Sequence, residues 1–323
     1  MKTVLVLGAS GYVGSRLVEA LSRVDWASPV AAMRPRTRRA TPGRIEVRSY
    51  DARNPSSLEG RLADIDCVVN CVGGEPESMV MSARHLFATA LASCVERVVH
   101  ISSMVVYGSA TGVVDEQSPI ATEGGGYTRA KLAGERLARD FSQRGGKVVV
   151  LRPSCIYGPG SEQWTGRIGR LLRAGRIGDL GPAGDGCCNL IYIDDMVSAI
   201  LQALGRPGLD GEVFNVSSPD PETWNRYFIR FGRALGATPI RRISSRRLTL
   251  ETKLVAPVLK GLELVDRRLG MDAVRLPDAI PPSLARLWRQ DIRLDHRKSN
   301  ALLCFSRTSL TDGIGASARW LTP

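Results

Sequence analysis

The hydrophobic positions of this chain follow two alternating rhythms. Short, largely apolar runs occur at Lys2–Leu7, Pro29–Met33, Ile45–Ser49, Asp66–Val72, Val98–Ser102 and Lys147–Leu151, each of a length suited to a buried strand. Between them lie stretches with apolar residues every three or four positions. Tyr12–Arg23 places Val13, Leu17, Val18 and Leu21 on one side, and Met81–Ser93 and Tyr127–Ser142 show the same spacing. These read as helices with one apolar face. Strands alternating with helices predict an α/β fold, a parallel sheet covered by helices on both faces and joined by right-handed crossovers.

After Arg152 the texture changes. Gly158–Gly186 is rich in Gly and Pro, with one arginine-rich helical patch at Arg167–Arg176. Asn189–Ile193 and Glu212–Val216 read as further strands, and Asp194-Asp195 as the cap of a helix over Met196–Leu204. From Asp220 onward the chain reads as helices and loops. The pattern predicts a sheet domain over 1–160, to which 187–217 return, and a smaller, mostly helical region made of 161–186 and 218–323.

Composition narrows the function classes. The 323 residues are 43% hydrophobic and 24% charged, the balance of a soluble globular protein. No apolar run approaches the ~20 residues of a membrane helix, and the apolar run at the N-terminus is too short for a secretory signal. The seven cysteines are scattered without a CxxC, which points to core thiols in a reducing, cytoplasmic setting. The three histidines lack ligand spacing, so no metal is expected. The net charge of +12 is uneven: residues 226–298 hold 17 Lys/Arg against 7 Asp/Glu, a net of +10. A solvated basic surface, an anionic substrate and an anionic membrane surface all suit that imbalance, the last helped by the amphipathic stretch Leu248–Leu269. No nucleic-acid motif accompanies the charge.

Four features carry chemistry. Gly8-Ala9-Ser10-Gly11-Tyr12-Val13-Gly14 joins the first strand to the first helix, and its glycines are spaced GxxGxxG. Gly8 permits the tight turn, Gly11 lets the backbone approach a pyrophosphate, and Gly14 lets the helix pack on the sheet, with Ser10, Tyr12 and Val13 in the same turn. The second strand ends in Met33-Arg34, where an NAD site places an acid. Arginine there, with Arg38 as a weaker second choice, suits a 2′-phosphate and favours NADP over NAD. Asp51 and Ala52 after the third strand, and Cys71, Val72 and Gly73 after the fourth, fall where an adenine and a ribose would lie. Tyr127 and Lys131 stand four apart on one helix face, an arrangement in which an ammonium lowers a phenol's pKa and readies it for proton transfer.

A serine pair, Ser102-Ser103, ends the fifth strand and opens Met104-Val105-Val106-Tyr107-Gly108. With Gly8–Gly14, Tyr127-xxx-Lys131, Arg152-Pro153, Tyr157-Gly158-Pro159-Gly160 and Ile191-Tyr192-Ile193-Asp194-Asp195 in this order, the chain resembles the extended short-chain dehydrogenase/reductases, the NAD(P)-dependent epimerase/dehydratase superfamily, over about residues 1–235. The closing Leu310–Leu321 looks like that family's last helix. The resemblance implies a Rossmann doubly wound sheet with a smaller, mostly helical C-terminal substrate domain. It also implies Ser103, Tyr127 and Lys131 as catalytic residues, and Pro153 and Cys155 near the nicotinamide end of the cofactor. Homodimers are favoured by the resemblance alone. Two departures matter: Cys155 stands where many nucleotide-sugar enzymes of the superfamily carry an asparagine that contacts the substrate diphosphate, and Met104 and Val105 are apolar where such enzymes often carry an acid pair or similar acid-base group, which disfavours a dehydratase. The expectation is therefore an NADP-dependent oxidoreductase acting on a secondary alcohol or ketone of a small, anionic or sugar-linked substrate. The alternatives are a nucleotide-sugar or lipid-linked-sugar epimerase/dehydratase that retains its nicotinamide, and a non-catalytic nucleotide-sensing protein.

Overall fold

The computed structural model describes residues 1–34, 45–93, 95–219, 222–269 (backbone alone over 263–269), 277–305 and 307–322. Seven strands form one sheet: β1 (Lys2–Leu7), β2 (Ala27–Met33), β3 (Glu46–Ser49), β4 (Cys67–Asn70), β5 (Arg97–Ile101), β6 (Val148–Pro153) and β7 (Val213–Val216). Their order is β7-β6-β5-β4-β1-β2-β3, and every pairing is parallel. The six strands read before Arg152, and Glu212–Val216 after it, thus enter one doubly wound sheet.

Side-chain alternation along the strands divides the core in two. Val4 and Val6 face one side, where they join Leu17, Val18 and Leu21 of α1 (Tyr12–Leu21). Leu5 and Leu7 face the other and meet Ala83, Leu86 and Phe87 of α2 (Pro76–Leu91) and Ala138 and Phe141 of α3 (Gly126–Gln143). The sheet reverses direction of growth between β1 and β4, so a crevice opens at their carboxyl ends, the usual ligand position in such folds.

Three small strand pairs lie outside the main sheet. Cys155–Tyr157 pairs with Leu190–Tyr192, Cys187–Cys188 with Glu222–Thr223, and Gly112–Val114 with Ile292–Leu294. The run at Asn189–Ile193, read as a strand, therefore belongs to a satellite pair. The remaining helices cover the Gly/Pro-rich segment and the C-terminal part, built around an aromatic core of Trp224, Tyr227, Phe228, Phe231 and Trp288, all fully buried.

Two boundaries differ from the sequence reading. Helix α2 starts at Pro76, not Met81, because Pro76 occupies the first turn, where no N–H is needed, and Glu77 faces the positive helix end. Asp194 and Asp195 do not cap their helix, which runs over Ile193–Gly205 and holds both in its first turn. Asp195 instead accepts hydrogen bonds from the Thr308 backbone N–H (2.9 Å) and hydroxyl (2.8 Å), tying the last part of the chain to the sheet domain.

Candidate active site

The glycine turn is tightly fitted. Gly8 has φ +78°, and a Cβ there would lie 2.9 Å from the Cys71 carbonyl oxygen. A Cβ on Gly14 would lie 2.3 Å from the Gly8 carbonyl oxygen. The Gly11 N–H closes the turn on the Gly8 oxygen at 2.9 Å. Gly11 is the N-cap of α1 and offers no side-chain cap, so the helix start presents backbone donors and a positive dipole end. A backbone that only glycine can bring this close, opening onto an uncapped helix at the crevice, fits a dinucleotide pyrophosphate. Gly14→Ala is expected to shift α1 and cost about 1–3 kcal/mol, checked by urea unfolding.

Several of the other predicted cofactor positions lie at or after the carboxyl ends of sheet strands. The Cys71 N–H donates to the Leu7 carbonyl at 2.9 Å, and the Val72 N–H donates to the Asn70 side chain at 3.2 Å, beside exposed Gly73. Asp51 is exposed after β3, with one carboxylate oxygen accepting from Arg53 N–H at 3.0 Å, and Ala52 is buried behind it. Arg34 is exposed immediately after β2. Arg38 lies outside the described residues. Ser10 and Val13 lie in the turn and first helical positions, and the Tyr12 ring fits beneath the Gly158–Gly160 turn. Pro153 ends β6, and Cys155 is buried in the next short strand, with its thiol pushed upward by burial.

Tyr127 and Lys131 share the first turns of α3. The Lys131 Nζ lies 5.7 Å from the Tyr127 ring centroid and donates to the Ile101 carbonyl at 2.7 Å. Burial lowers the Lys131 pKa to about 8, with the Cys71 thiol and the Glu135 carboxylate pulling the other way. The expected drop in the phenol is not what this geometry gives. The protein packed around its hydroxyl raises the Tyr127 pKa, the Ser103 hydrogen bond lowers it, and the Cys155 thiol raises it. The physical reason is that desolvation of the phenol outweighs the Ser103 hydrogen bond, while the ammonium is committed to the Ile101 carbonyl.

The two serines have separate partners. Ser103 caps the short 3-10 turn Met104–Tyr107, accepting from Val105 N–H at 3.3 Å, and is the serine that meets Tyr127. Ser102 is buried and donates to Glu135 at 2.5 Å.

Glu135 opens a buried network absent from the sequence reading. Its carboxylate accepts from Arg152 Nε at 2.9 Å and Nη2 at 2.8 Å. Arg152 Nη1 donates to the Tyr107 hydroxyl at 2.9 Å, and that hydroxyl donates to Asn215 Oδ1 at 2.7 Å. Burial opposes the Arg152 charge, and Glu135 more than offsets it, holding the guanidinium above its ordinary pKa. The ends of β5, β6 and β7 and helix α3 are thereby tied together. The one sequence signal was Glu135 lying a turn beyond Lys131 among apolar neighbours. His100, packed against Gly134, is held neutral at about 3 by burial and by the Lys131 charge. Among the described residues no cluster of His, Cys, Asp or Glu could hold a metal, and no helix is long and apolar enough to cross a membrane.

Comparison with known proteins bears on this site. Residues 4–217 match the family model for the NAD dependent epimerase/dehydratase family. The UDP-glucose 4-epimerase of Vibrio cholerae is 26% identical over 236 residues, covering 67% of this chain and 70% of that protein. A dTDP-4-dehydro-6-deoxy-D-allose reductase from a Streptomyces species is 27% identical over 236 residues, 63% of this chain and 72% of that one. The structure of the UDP-glucuronic acid 4-epimerase from Bacillus cereus, in complex with UDP-glucuronic acid and NAD, superposes with a TM-score of 0.73 at 20% identity, over 99% of this chain and 98% of that one. A likeness at that identity speaks for the fold.

Proposed function

The chain belongs to the NAD dependent epimerase/dehydratase family, and from that premise we propose that it is a nicotinamide-dependent enzyme acting at a secondary alcohol of a sugar-linked substrate, with the epimerase reading ahead of the simple oxidoreductase. The observation that carries the chemistry is the convergence of Ser103, after β5, with Tyr127 and Lys131 of α3. The epimerase preference rests on the relatives, whose names include 4-epimerases of nucleotide sugars. It revises the expectation of an NADP-dependent reductase as the leading reading.

A nicotinamide held between the glycine turn and Lys131 would supply hydride transfer. The chain's own residues do the rest. Ser103 holds the substrate oxygen, Tyr127 moves its proton, and Lys131 places positive charge beside both the phenol and the ribose side of the crevice. Tyr127 also stands in the first turn of α3, where the helix dipole favours a phenolate.

The readings separate on the purified protein. Nicotinamide absorbance that stays with the protein through turnover, with no net consumption, supports the epimerase. Exchangeable NADPH consumed with a carbonyl substrate supports the reductase. A protein that binds neither nicotinamide dinucleotide removes both. Arg34, the exposed cation after β2, is the specific reason to retain NADP as the cofactor. Arg34→Ala is expected to weaken NADP binding about tenfold or more while leaving NAD binding unchanged, measured by titration calorimetry. Equal effects on both dinucleotides would remove the 2′-phosphate contact.

A further inference from the structure

A continuous helical run in the C-terminal part, Ser245–Leu250, Glu251–Val255 and Ala256–Leu269, has an unusual division of faces. Leu248, Glu251, Thr252 and Ala256 are buried against the body of the protein. Glu251 fastens that side through Arg176, at 3.1 Å from Nε and 2.5 Å from Nη2. Facing away are Leu250, Leu254, Val258 and Leu262, which are 51%, 61%, 62% and 47% exposed. They account for four of the ten large exposed apolar side chains among the described residues, and they recur every fourth position, so they form one stripe. A stripe of this kind on an outward face marks an interaction surface.

The charge around it identifies the occupant. From Arg241 to Leu262 every exposed charged side chain is cationic: Arg241, Arg242, Arg246, Arg247, Lys253 and Lys260. The single acid of the segment, Glu251, is buried in its ion pair. Apolar side chains flanked by long cations, with no exposed acid among the described side chains of the run, match the boundary of an anionic bilayer. There the apolar stripe enters the acyl region and Lys and Arg reach back to the headgroups. We propose that this helix is a peripheral docking surface for anionic phospholipid, lying in the interface without crossing it. The inference stands independently of the catalytic reading, since the stripe shares no residue with the site.

The test is co-sedimentation of the full-length protein with vesicles of about three parts phosphatidylcholine to one of phosphatidylglycerol, against phosphatidylcholine alone. Binding to the anionic vesicles is expected, weakening as salt rises. The double variant Leu254→Glu/Val258→Glu should lose about tenfold or more of that binding, and Lys253→Gln/Lys260→Gln should lose about tenfold on anionic vesicles only. Both pairs are exposed, so thermal unfolding should not change. Equal binding to neutral and anionic vesicles overturns the proposal, as does binding that survives the glutamate substitutions. A change from dimer to monomer in light scattering on Leu254→Glu/Val258→Glu would assign the stripe to a second copy of the chain instead.

Discussion

Replacing Tyr127 by phenylalanine is expected to reduce kcat by about 100- to 10,000-fold while the protein stays folded and keeps its nicotinamide affinity. The ring is 44% exposed, so removal of one hydroxyl disturbs little packing. The hydroxyl hydrogen-bonds with Ser103, and loss of that bond at a half-open site costs little stability. What is lost is the phenol hydroxyl that meets Ser103 beside the buried ammonium. A drop in kcat with unchanged thermal unfolding and unchanged dinucleotide affinity identifies a proton-transfer role. Retention of more than about a tenth of the activity would remove Tyr127 from the mechanism. Lys131→Met should behave differently, weakening dinucleotide binding as well as turnover, if the ammonium has its proposed place on the ribose side of the crevice.

The largest effect on stability is expected at Glu135. Its side chain and that of Arg152 are 5% and 4% exposed, and they are joined by two hydrogen bonds in a bidentate pair. Glu135→Ala would leave a guanidinium buried with Tyr107 as its remaining side-chain partner, the hydroxyl at 2.9 Å and the ring centroid at 5.1 Å. Breaking a buried pair from one side costs about 3–5 kcal/mol, most of it the stranded charge. Urea unfolding of Glu135→Ala should show a loss of that size. The double variant Glu135→Leu/Arg152→Met should recover much of it, since both charges are then gone. A single-variant loss under about 1 kcal/mol would contradict the assigned role of the pair. The same network holds Ser102, next in sequence to Ser103, and sits one helical turn from Lys131. Glu135→Gln, which keeps the shape, should therefore affect turnover more gently than it affects stability.

What the sequence disclosed and what it hid divide along range. The glycine turn, the strand ends and the Tyr127–Lys131 spacing are local, set by a few adjacent residues, and they appear where the pattern put them. The Glu135 network is not local: Arg152 is 17 positions away, and the bond from Tyr107 to Asn215 spans 108. No periodicity reports which distant polar groups will meet, so the network emerges only with the sheet order. The cap assigned to Asp194-Asp195 failed for the same reason, because Thr308, more than a hundred residues on, competes for Asp195. The direction of the phenol's shift also depended on a distant partner. Spacing placed the ammonium near the ring, while the Ile101 carbonyl, thirty residues upstream, decided where it points. Cys155 remains a departure from the nucleotide-sugar pattern, and its buried thiol supplies no charge to a diphosphate.

The close fit between Gly8 and the Cys71 carbonyl has a thermodynamic side. The Gly8 turn and the Cys71 strand end, proposed to flank the phosphates and the ribose, are already locked together, so dinucleotide association should order little further backbone. Calorimetry should then show a heat-capacity change no larger than the apolar surface covered by the dinucleotide itself, without the excess that accompanies a loop folding on binding.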